Sequence, residues 1–283
     1  MSKRQNGLAL SMCLSGALAA LACDVRVGDD GLSIDVARGR ASDEWTRSYD
    51  IRQGGRIEII NLTGTIRASP GTGSTVEVHA SLEARGGSDE AARQLIETVD
   101  IGEDVSPDRV RIEVRGDQRG RLAGSGGPRL TVQYEVRVPS GVRAVFQTEN
   151  GDVRVEGLTG HVTASSTNGR IVGRALSGSA DASTVNGGID LDFSAVAADT
   201  SLTTVNGGIR LAVSPGLDAT VDLSVINGGI SVDEGLLLTT DTRSRQRVTG
   251  VLNRGGVGIV AQATNGRVRL TSRDAGDTGE TPD

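Results

Sequence analysis

Apolar and polar residues alternate along most of residues 48–139, which predicts β-strands that each bury one face. The alternating apolar positions run over 57–61, 76–82, 110–114 and 130–138. One segment, near 88–98, breaks the alternation: Ser88 precedes an acidic first turn, and Ala92 and Leu95 follow with helical spacing. This spacing predicts a short helix capped by Ser88. Residues 48–139 are therefore predicted to form an N-terminal β section that contains one helix.

From residue 140 to residue 271 the alternation becomes a repeat built around Asn-Gly pairs. TVNGGI occurs at 184–189 and again at 204–209, and VINGGI occurs at 225–230. The steps between successive Asn residues are 18, 18, 20, 21 and 38, and the last is close to two repeats. Mostly apolar residues recur three and five positions after each Asn and four and six positions before it, so each unit is predicted to contain two strands. The pairs are Asn150-Gly151, Asn168-Gly169, Asn186-Gly187, Asn206-Gly207, Asn227-Gly228 and Asn265-Gly266.

The recurring pair is predicted to be a structural corner. Asn and Gly accept positive φ more readily than other residues, so the pair fits a sharp reversal between strands. In a parallel coil with turns about 4.8 Å apart, equivalent Asn side chains would lie above one another and hydrogen-bond along the stack. An antiparallel meander of hairpins has the same period and is the alternative architecture. Because a meander would separate equivalent columns by two strands, the near-identical columns favour a parallel β-solenoid.

The N-terminus has the layout of an export signal. Two basic residues at 3–4 precede an apolar run at 8–21, which is short for a membrane-spanning helix. The segment ALAC at 20–23 resembles the lipobox of bacterial lipoproteins, although that family usually has Leu where this chain has Ala20. The resemblance implies a signal peptide at 1–22 and acylation of Cys23; an ordinary secretory cleavage site is the alternative. Cleavage would leave Cys23 as a lone thiol, which excludes an internal disulfide.

Composition and charge exclude some classes of partner. Thirty basic and 36 acidic residues give a net charge of −6, and no basic run is interleaved with aromatic residues. Nucleic acid is therefore not an expected partner. Aromatic residues make up 2% of the chain, so the core must be built from small branched side chains, which favours thin, stacked β layers.

No catalytic or metal-binding group stands out in the sequence. The two histidines, His79 and His161, are predicted to be solvated strand residues rather than catalytic bases. No residues have the spacing of a metal site or of a cofactor-binding motif, so neither a metal nor a cofactor is predicted. Asp190 and Asp192 alternate with apolar residues and project outward from one strand. There a solvated face of mixed charge is favoured over a Ca²⁺ site or a sugar-cleaving site.

Several segments resemble a known family. They are NGDVRVEGLTGHV at 150–162, STNGRIVG at 166–173, the TVNGGI and VINGGI copies, and GGVGIVAQATNGRVRL at 255–270. These are similar to bacterial envelope proteins of the DUF4097 "putative adhesin" type, which are related to head-GIN and auto-transporter adhesin-like proteins. The resemblance covers about residues 48–271. It implies a right-handed β-helix-like fold and no enzyme activity.

These observations predict an all-β protein. A signal peptide at 1–22 and a tether at 23–47 precede the N-terminal β section at 48–139 and the β-solenoid at 140–271, and a disordered tail follows at 272–283. The stretch 233–256 disturbs the period and is predicted to protrude as a loop.

The predicted function is that of a non-enzymatic lipoprotein, exported to the periplasm or outer surface and anchored in the membrane by its N-terminal lipid. Its rigid solenoid surface would serve adhesion or contact an envelope protein or glycan. A polysaccharide-processing β-helix enzyme and a periplasmic envelope-stress sensor are the alternatives.

Overall fold

The computed structural model describes residues 23–28, 31–36, 39–115 and 129–273. The chain divides into two compact units, residues 1–38 and residues 39–283. In the first unit, β1 (Cys23–Gly28) and β2 (Gly31–Val36) pair antiparallel. The predicted signal peptide lies outside the described residues. Among those residues no helix has the length and hydropathy to cross a bilayer.

The second unit is a sheet of 19 strands with one helix among the described residues. Its N-terminal elements are β3 (Gly39–Asp50), β4 (Arg56–Thr63), β5 (Ile66–Pro70), β6 (Thr75–Gly86), α1 (Asp89–Glu97), β7 (Asp100–Ser106), β8 (Arg109–Arg115) and β9 (Arg129–Val138). The repeat contributes β10 (Arg143–Asn150), β11 (Val153–Glu156), β12 (Val162–Asn168), β13 (Ile171–Leu176), β14 (Ala180–Asn186), β15 (Ile189–Phe193), β16 (Thr200–Asn206) and β17 (Ile209–Val213). The C-terminal strands are β18 (Ala219–Val232), β19 (Leu238–Arg243), β20 (Arg247–Leu252) and β21 (Val257–Ser272).

The helix and the alternating strands occur where the pattern predicts them. The hydroxyl of Ser88 accepts a hydrogen bond from the N–H of Ala91 at 3.2 Å, which caps α1. Ala92 and Leu95 are buried in the common core. The alternating stretches of the N-terminal section lie in β4, β6, β8 and β9, and their apolar side chains are buried. Local periodicity was therefore enough to locate these elements.

Parallel pairing decides between the two architectures that the repeat allowed. β10, β12, β14 and β16 form one parallel row, and β11, β13, β15 and β17 form a second. Within each row equivalent residues are register partners, as Ile171 is with Ile189 and Ile189 with Ile209. The inward side chains of both rows join one core, which includes the two Phe residues, Phe146 and Phe193. The parallel β-solenoid is confirmed, and the antiparallel meander is excluded for these coils.

The stacking order departs from the chain order at both ends of the repeat. β4 pairs parallel with β10, and β5 pairs parallel with β11, so an N-terminal coil continues the solenoid. At the other end β21, the last strand, inserts between the β16–β17 coil and β18. The predicted boundary at residues 139 and 140 is therefore not a break in the stack. Chain order also does not give the neighbours of the last two coils.

Three segment predictions are corrected by the structure. Residues 39–47, predicted as tether, lie in β3, which pairs antiparallel with β6 along its whole length. Because β3 is an edge strand with mostly exposed side chains, its sequence lacks the alternation of a half-buried strand. The predicted tail begins too early, since Ser272 ends β21 and Arg273 forms an ion pair with Asp192; residues 274–283 lie outside the described residues. The predicted loop at 233–256 contains the β19–β20 hairpin, which joins the sheet through β18.

Candidate functional site

The Asn side chains of the recurring pairs form a hydrogen-bonded ladder along the outside of one corner. In each step the Nδ2 of one Asn donates to the Oδ1 of the Asn in the neighbouring coil. The steps are Asn168 to Asn150, Asn186 to Asn168, Asn206 to Asn186, Asn265 to Asn206 and Asn227 to Asn265, each at 2.9 Å. All six side chains are exposed. Because water competes for exposed groups, each bond is expected to contribute only about 0.5–1.5 kcal/mol.

Space requires the Gly of each pair, and a positive φ adds to the requirement only at Gly151 and Gly228. None of the six ladder Asn residues has positive φ. A Cβ on Gly187 would lie 1.9 Å from the carbonyl oxygen of Gly169, and a Cβ on Gly207 would lie 1.8 Å from that of Gly187. Successive coils therefore touch through glycine backbones. The corner has no room for a side chain at this position.

A column of buried hydroxyl groups lies behind the corner, and the sequence analysis did not predict it. Two residues before four of the six ladder Asn residues, a hydroxyl donates to the carbonyl oxygen of a glycine in the neighbouring coil, at 2.9–3.3 Å. The acceptors are Gly64, Gly151, Gly169 and Gly187. The donors are Thr148, Ser166, Thr184 and Thr204, all of them buried. The column ends where Ala263 and Val225 take the equivalent positions. In the sequence, the Thr that recurs in both TVNGGI copies was the feature that could have predicted this column.

A groove lies on the outer face of the second row of strands, beside the corner. Its floor contains Gly187 and Gly207 together with the second glycines of the two TVNGGI copies, Gly188 and Gly208. Its cationic lining consists of Arg170, Arg210, Arg267 and Arg269, and its volume is about 510 Å³. We call these arginines and glycines the arginine groove. A second depression, of about 660 Å³, shares Arg267 and adds Arg245 from the turn between β19 and β20.

Most of the charge in the arginine groove is not neutralised. Arg210, Arg267 and Arg269 form no ion pair with another residue in the described part of the chain. Arg210 and Arg269 are register partners on β17 and β21, where like charges side by side are unfavourable. On its other side Arg210 is the register partner of Asp190 on β15. The acidic residue of the lining, Asp190, is held by the guanidinium of Arg174 through contacts of 3.1 and 2.8 Å. The groove is therefore a cationic patch on an acidic protein.

One coil before the groove, a carboxylate of the chain occupies the equivalent position. Asp152 Oδ1 accepts the backbone N–H of Arg170 at 2.9 Å, and Oδ2 accepts from Arg154 at 2.9 Å. Burial acts to raise the pKa of Asp152, but the bonds from Arg170 and Arg154 outweigh it, and the pKa lies below its ordinary value. The N–H groups of Gly188 and Gly208 have no acceptor among the described residues. Both glycines line the groove, and no carboxylate of the described residues accepts their N–H groups as Asp152 accepts that of Arg170.

The other residues singled out in the sequence are engaged in contacts of their own. Asp192 lies 3.0 Å from the Nε of Arg273, in the ion pair noted above. His79 Nδ1 lies 2.9 Å from the hydroxyl of Thr46. In the described ranges no three metal-ligating side chains converge.

His161 has contacts that the sequence analysis did not foresee. Its Nδ1 lies 2.8 Å from Ser179 Oγ, and its Nε2 lies 3.4 Å from Asp181 Oδ2. These are the residue types of a nucleophilic triad. Because Ser179 is only 6% exposed, its hydroxyl is not presented to a substrate.

Residues 129–271 match the family described as Toastrack DUF4097. The chain belongs to this family. The matched Toastrack segment extends from the first residue of β9 into the last residues of β21 and includes all six Asn-Gly pairs. No curated protein matches the chain.

Several solved structures are similar to this chain at low identity. A "putative cell adhesion protein" from Clostridium sporogenes is 10% identical, with 82% of this chain and 100% of that chain covered and a TM-score of 0.41. A "putative adhesin" from Bacteroides fragilis is 13% identical, with 82% and 97% covered and a TM-score of 0.30. A "putative lipid binding protein" from Parabacteroides distasonis is 10% identical, with 82% and 97% covered and a TM-score of 0.27. Similarity at this level says nothing about the ligand or activity of this chain.

Proposed function

We propose that this Toastrack protein is a non-enzymatic protein of the cell envelope whose solenoid presents a rigid surface to an envelope protein or a glycan. The observation that carries the proposal is the arginine groove on the outer face of the stack, where three arginines form no ion pair with the residues that the structure describes. Binding residues on regular, hydrogen-bonded strands keep their spacing better than residues on loops, which favours recognition of a repetitive or extended partner.

The corner supports the same proposal because it holds the coils in register. The exposed Asn ladder and the buried hydroxyl column both cross from coil to coil at the edge of the groove. Gly207 and Asn206 belong to the corner and also line the groove. The recurring TVNGGI motif therefore builds the coil stack, and its second glycine leaves the outer face open.

A polysaccharide-processing enzyme would use two carboxyl groups that can reach a glycosidic bond. Asp190 and Asp192 are the pair that the sequence suggested, and each is held by an arginine, Arg174 and Arg273 respectively. This pairing favours a structural role for both carboxylates. We therefore propose binding and not turnover at this face.

Photo-crosslinking in intact cells tests the proposed binding surface. A photoreactive amino acid at Ala212, on the outer face of β17, is expected to crosslink a partner. The same amino acid at Ser201, on the exposed side of β16 in the other row, serves as the matched control and is expected to crosslink much less. Equal crosslinking at both positions, or none at Ala212, contradicts the proposal. Turnover of a cell-wall glycan that is lost in Asp190→Asn contradicts its non-enzymatic part.

The envelope location is proposed to depend on a lipid attached to Cys23, the first residue of β1. Burial of an acyl chain in a bilayer contributes about 0.8 kcal/mol per methylene, so acylation is an effective anchor. Metabolic labelling with a fatty-acid probe is expected to label the wild type and Cys13→Ser, but not Cys23→Ser. Label that persists in Cys23→Ser, with the protein still exported, contradicts the anchor.

A further inference from the structure

We propose that the arginine groove binds carboxylate groups of an acidic polysaccharide. This inference rests on the proposed function, because it assigns a ligand class to the same surface. Two features of the groove carry it. The first is the pair of backbone N–H groups of Gly188 and Gly208, which have no acceptor among the described residues, whereas Asp152 accepts the equivalent N–H of Arg170. The second is the set of Arg210, Arg267 and Arg269, which form no ion pair with any residue that the structure describes.

The carboxylate of Asp152 shows which group fits the outer edge of a coil. It accepts the N–H of Arg170, the residue that opens the next coil on this face. Gly188 and Gly208 hold the equivalent positions in the two following coils. At the position that Asp152 has relative to Arg170, the preceding coil has Arg170 for Gly188 and Gly188 for Gly208, and neither residue carries a carboxylate. A ligand carboxylate at Gly188 or Gly208 would accept the free N–H as Asp152 does at Arg170.

The glycines also give such a ligand access. Gly188 and Gly208 have no side chains, so the groove reaches the backbone at these positions. Arg170 and Arg267 line the groove in the coils on either side of these glycines. Three strand steps of about 4.8 Å separate Arg170 from Arg267, which makes the floor about 14 Å wide. This width exceeds what one carboxylate needs, and it fits a chain of sugar units lying across the coils.

The arginine side chains supply charge and directional donors. A guanidinium group binds a carboxylate through two parallel N–H bonds, which gives both affinity and orientation. Arg210 and Arg269 lie side by side without a carboxylate partner among the described residues. A bound anion would relieve their mutual repulsion. Binding is therefore expected to weaken steeply as salt is added, because exposed charges are screened.

The surroundings favour an acidic polysaccharide over a nucleic acid. Duplex DNA carries one negative charge per about 1.7 Å, a density that the net charge of −6 of this protein opposes. Single-stranded nucleic acids are usually held by aromatic rings that stack on the bases, and the groove lining contains no aromatic residue. A polysaccharide with one carboxylate per sugar has a lower charge density and needs no stacking platform.

Binding of the full protein to immobilised polygalacturonate tests the proposal directly. The double variant Arg210→Gln/Arg269→Gln is expected to bind at least tenfold more weakly than the wild type. The double variant Arg129→Gln/Arg143→Gln removes the same charge from exposed arginines outside the groove and is expected to bind like the wild type. Thermal melting of each variant checks that the fold is intact. Neutral dextran, polyphosphate, duplex DNA and free galacturonate are the comparison ligands.

A second variant places a carboxylate in the groove itself. Gly188→Asp is expected to abolish polygalacturonate binding, because the new carboxylate can accept the N–H of Gly208 as Asp152 accepts that of Arg170. Its Cβ would lie 3.3 Å from the carbonyl oxygen of Gly208, so thermal melting checks that the fold is intact. Gly188→Asn adds a side chain of the same size without the charge, and it is expected to bind more weakly than the wild type but more strongly than Gly188→Asp. This pair separates the effect of charge from that of bulk.

Several outcomes would overturn the inference. If the groove variant and the control variant lose the same polygalacturonate affinity, the binding site does not lie in the groove. Tighter binding of polyphosphate or DNA than of polygalacturonate would contradict the carboxylate assignment, and binding of dextran would contradict the role of charge. If no polyanion binds while the Ala212 crosslink persists, the inference fails and the proposed function stands. If that crosslink is also absent, both fail.

Discussion

Replacing Gly207 with Ala is expected to lower the free energy of unfolding by about 3 kcal/mol. The added Cβ would lie 1.8 Å from the carbonyl oxygen of Gly187 and 2.5 Å from its carbonyl carbon. Both contacts are with backbone atoms, which cannot rotate away as a side chain can. Relief would require neighbouring coils to separate, and that would weaken the hydrogen bonds of the corner.

The control for this prediction is Gly216→Ala. A Cβ at Gly216 would meet no atom within 4 Å, and this glycine lies outside the coil corners. Its replacement is expected to change the free energy of unfolding by no more than about 0.5 kcal/mol. Urea unfolding followed by circular dichroism measures both variants. Equal stabilities for Gly207→Ala and Gly216→Ala would show that the coils are not in backbone contact at the corner.

Replacing Thr204 with Val is expected to lower the free energy of unfolding by about 1–3 kcal/mol. The side chain is 1% exposed, and its hydroxyl donates to the carbonyl oxygen of Gly187 at 2.9 Å. Val has nearly the same shape but no donor, so the substitution leaves that oxygen without the bond. The loss comes from desolvation of a polar group and not from a cavity.

Two further variants isolate the hydroxyl at Thr204. Thr203→Val alters the preceding residue of β16, whose side chain is exposed, and is expected to change stability by less than about 0.5 kcal/mol. Thr204→Ser keeps the donor, as Ser166 does in an earlier coil, and is expected to retain most of the stability. Thermal and urea unfolding measure the three variants together. If Thr204→Val is as stable as Thr203→Val, the buried hydroxyl groups do not stabilise the corner.

Gly207→Ala and Thr204→Val test different contacts of the same motif. Gly207 allows close approach of the backbones, and Thr204 satisfies a carbonyl group that this approach buries. Asn206 joins the coils on the outside. The second glycine, Gly208, accepts the N–H of Ile189 through its carbonyl oxygen and, having no side chain, leaves the arginine groove open. In the TVNGGI motif, Thr204, Asn206 and Gly207 therefore build the corner, the buried Ile209 joins the core, and Gly208 shapes the surface.

Much of the site could be predicted from the sequence because it repeats. Spacing alone identified the six Asn residues as one column, and their side chains lie within hydrogen-bonding distance of one another. The predicted positive φ occurs at Gly151 and Gly228 but at none of the six Asn residues, and the constraint common to the corner glycines is the carbonyl oxygen of another coil. The arginine groove was not predicted, since Arg170, Arg210 and Arg267 belong to different coils and no local pattern relates them.

The sequence by itself determined the strands, the helix, the two-strand unit and the preference for parallel stacking, because each depends on periodicity within a few dozen residues. Only the tertiary structure decided which coils are neighbours. It placed β21 between β16 and β18 and added the β4–β5 coil to the stack. Because the coils carry nearly the same residues in equivalent columns, any coil can stack on any other. The repeat therefore does not specify the order in which the coils stack. Because β21 pairs with β16 and β17, Arg267 and Arg269 share the groove with Arg210.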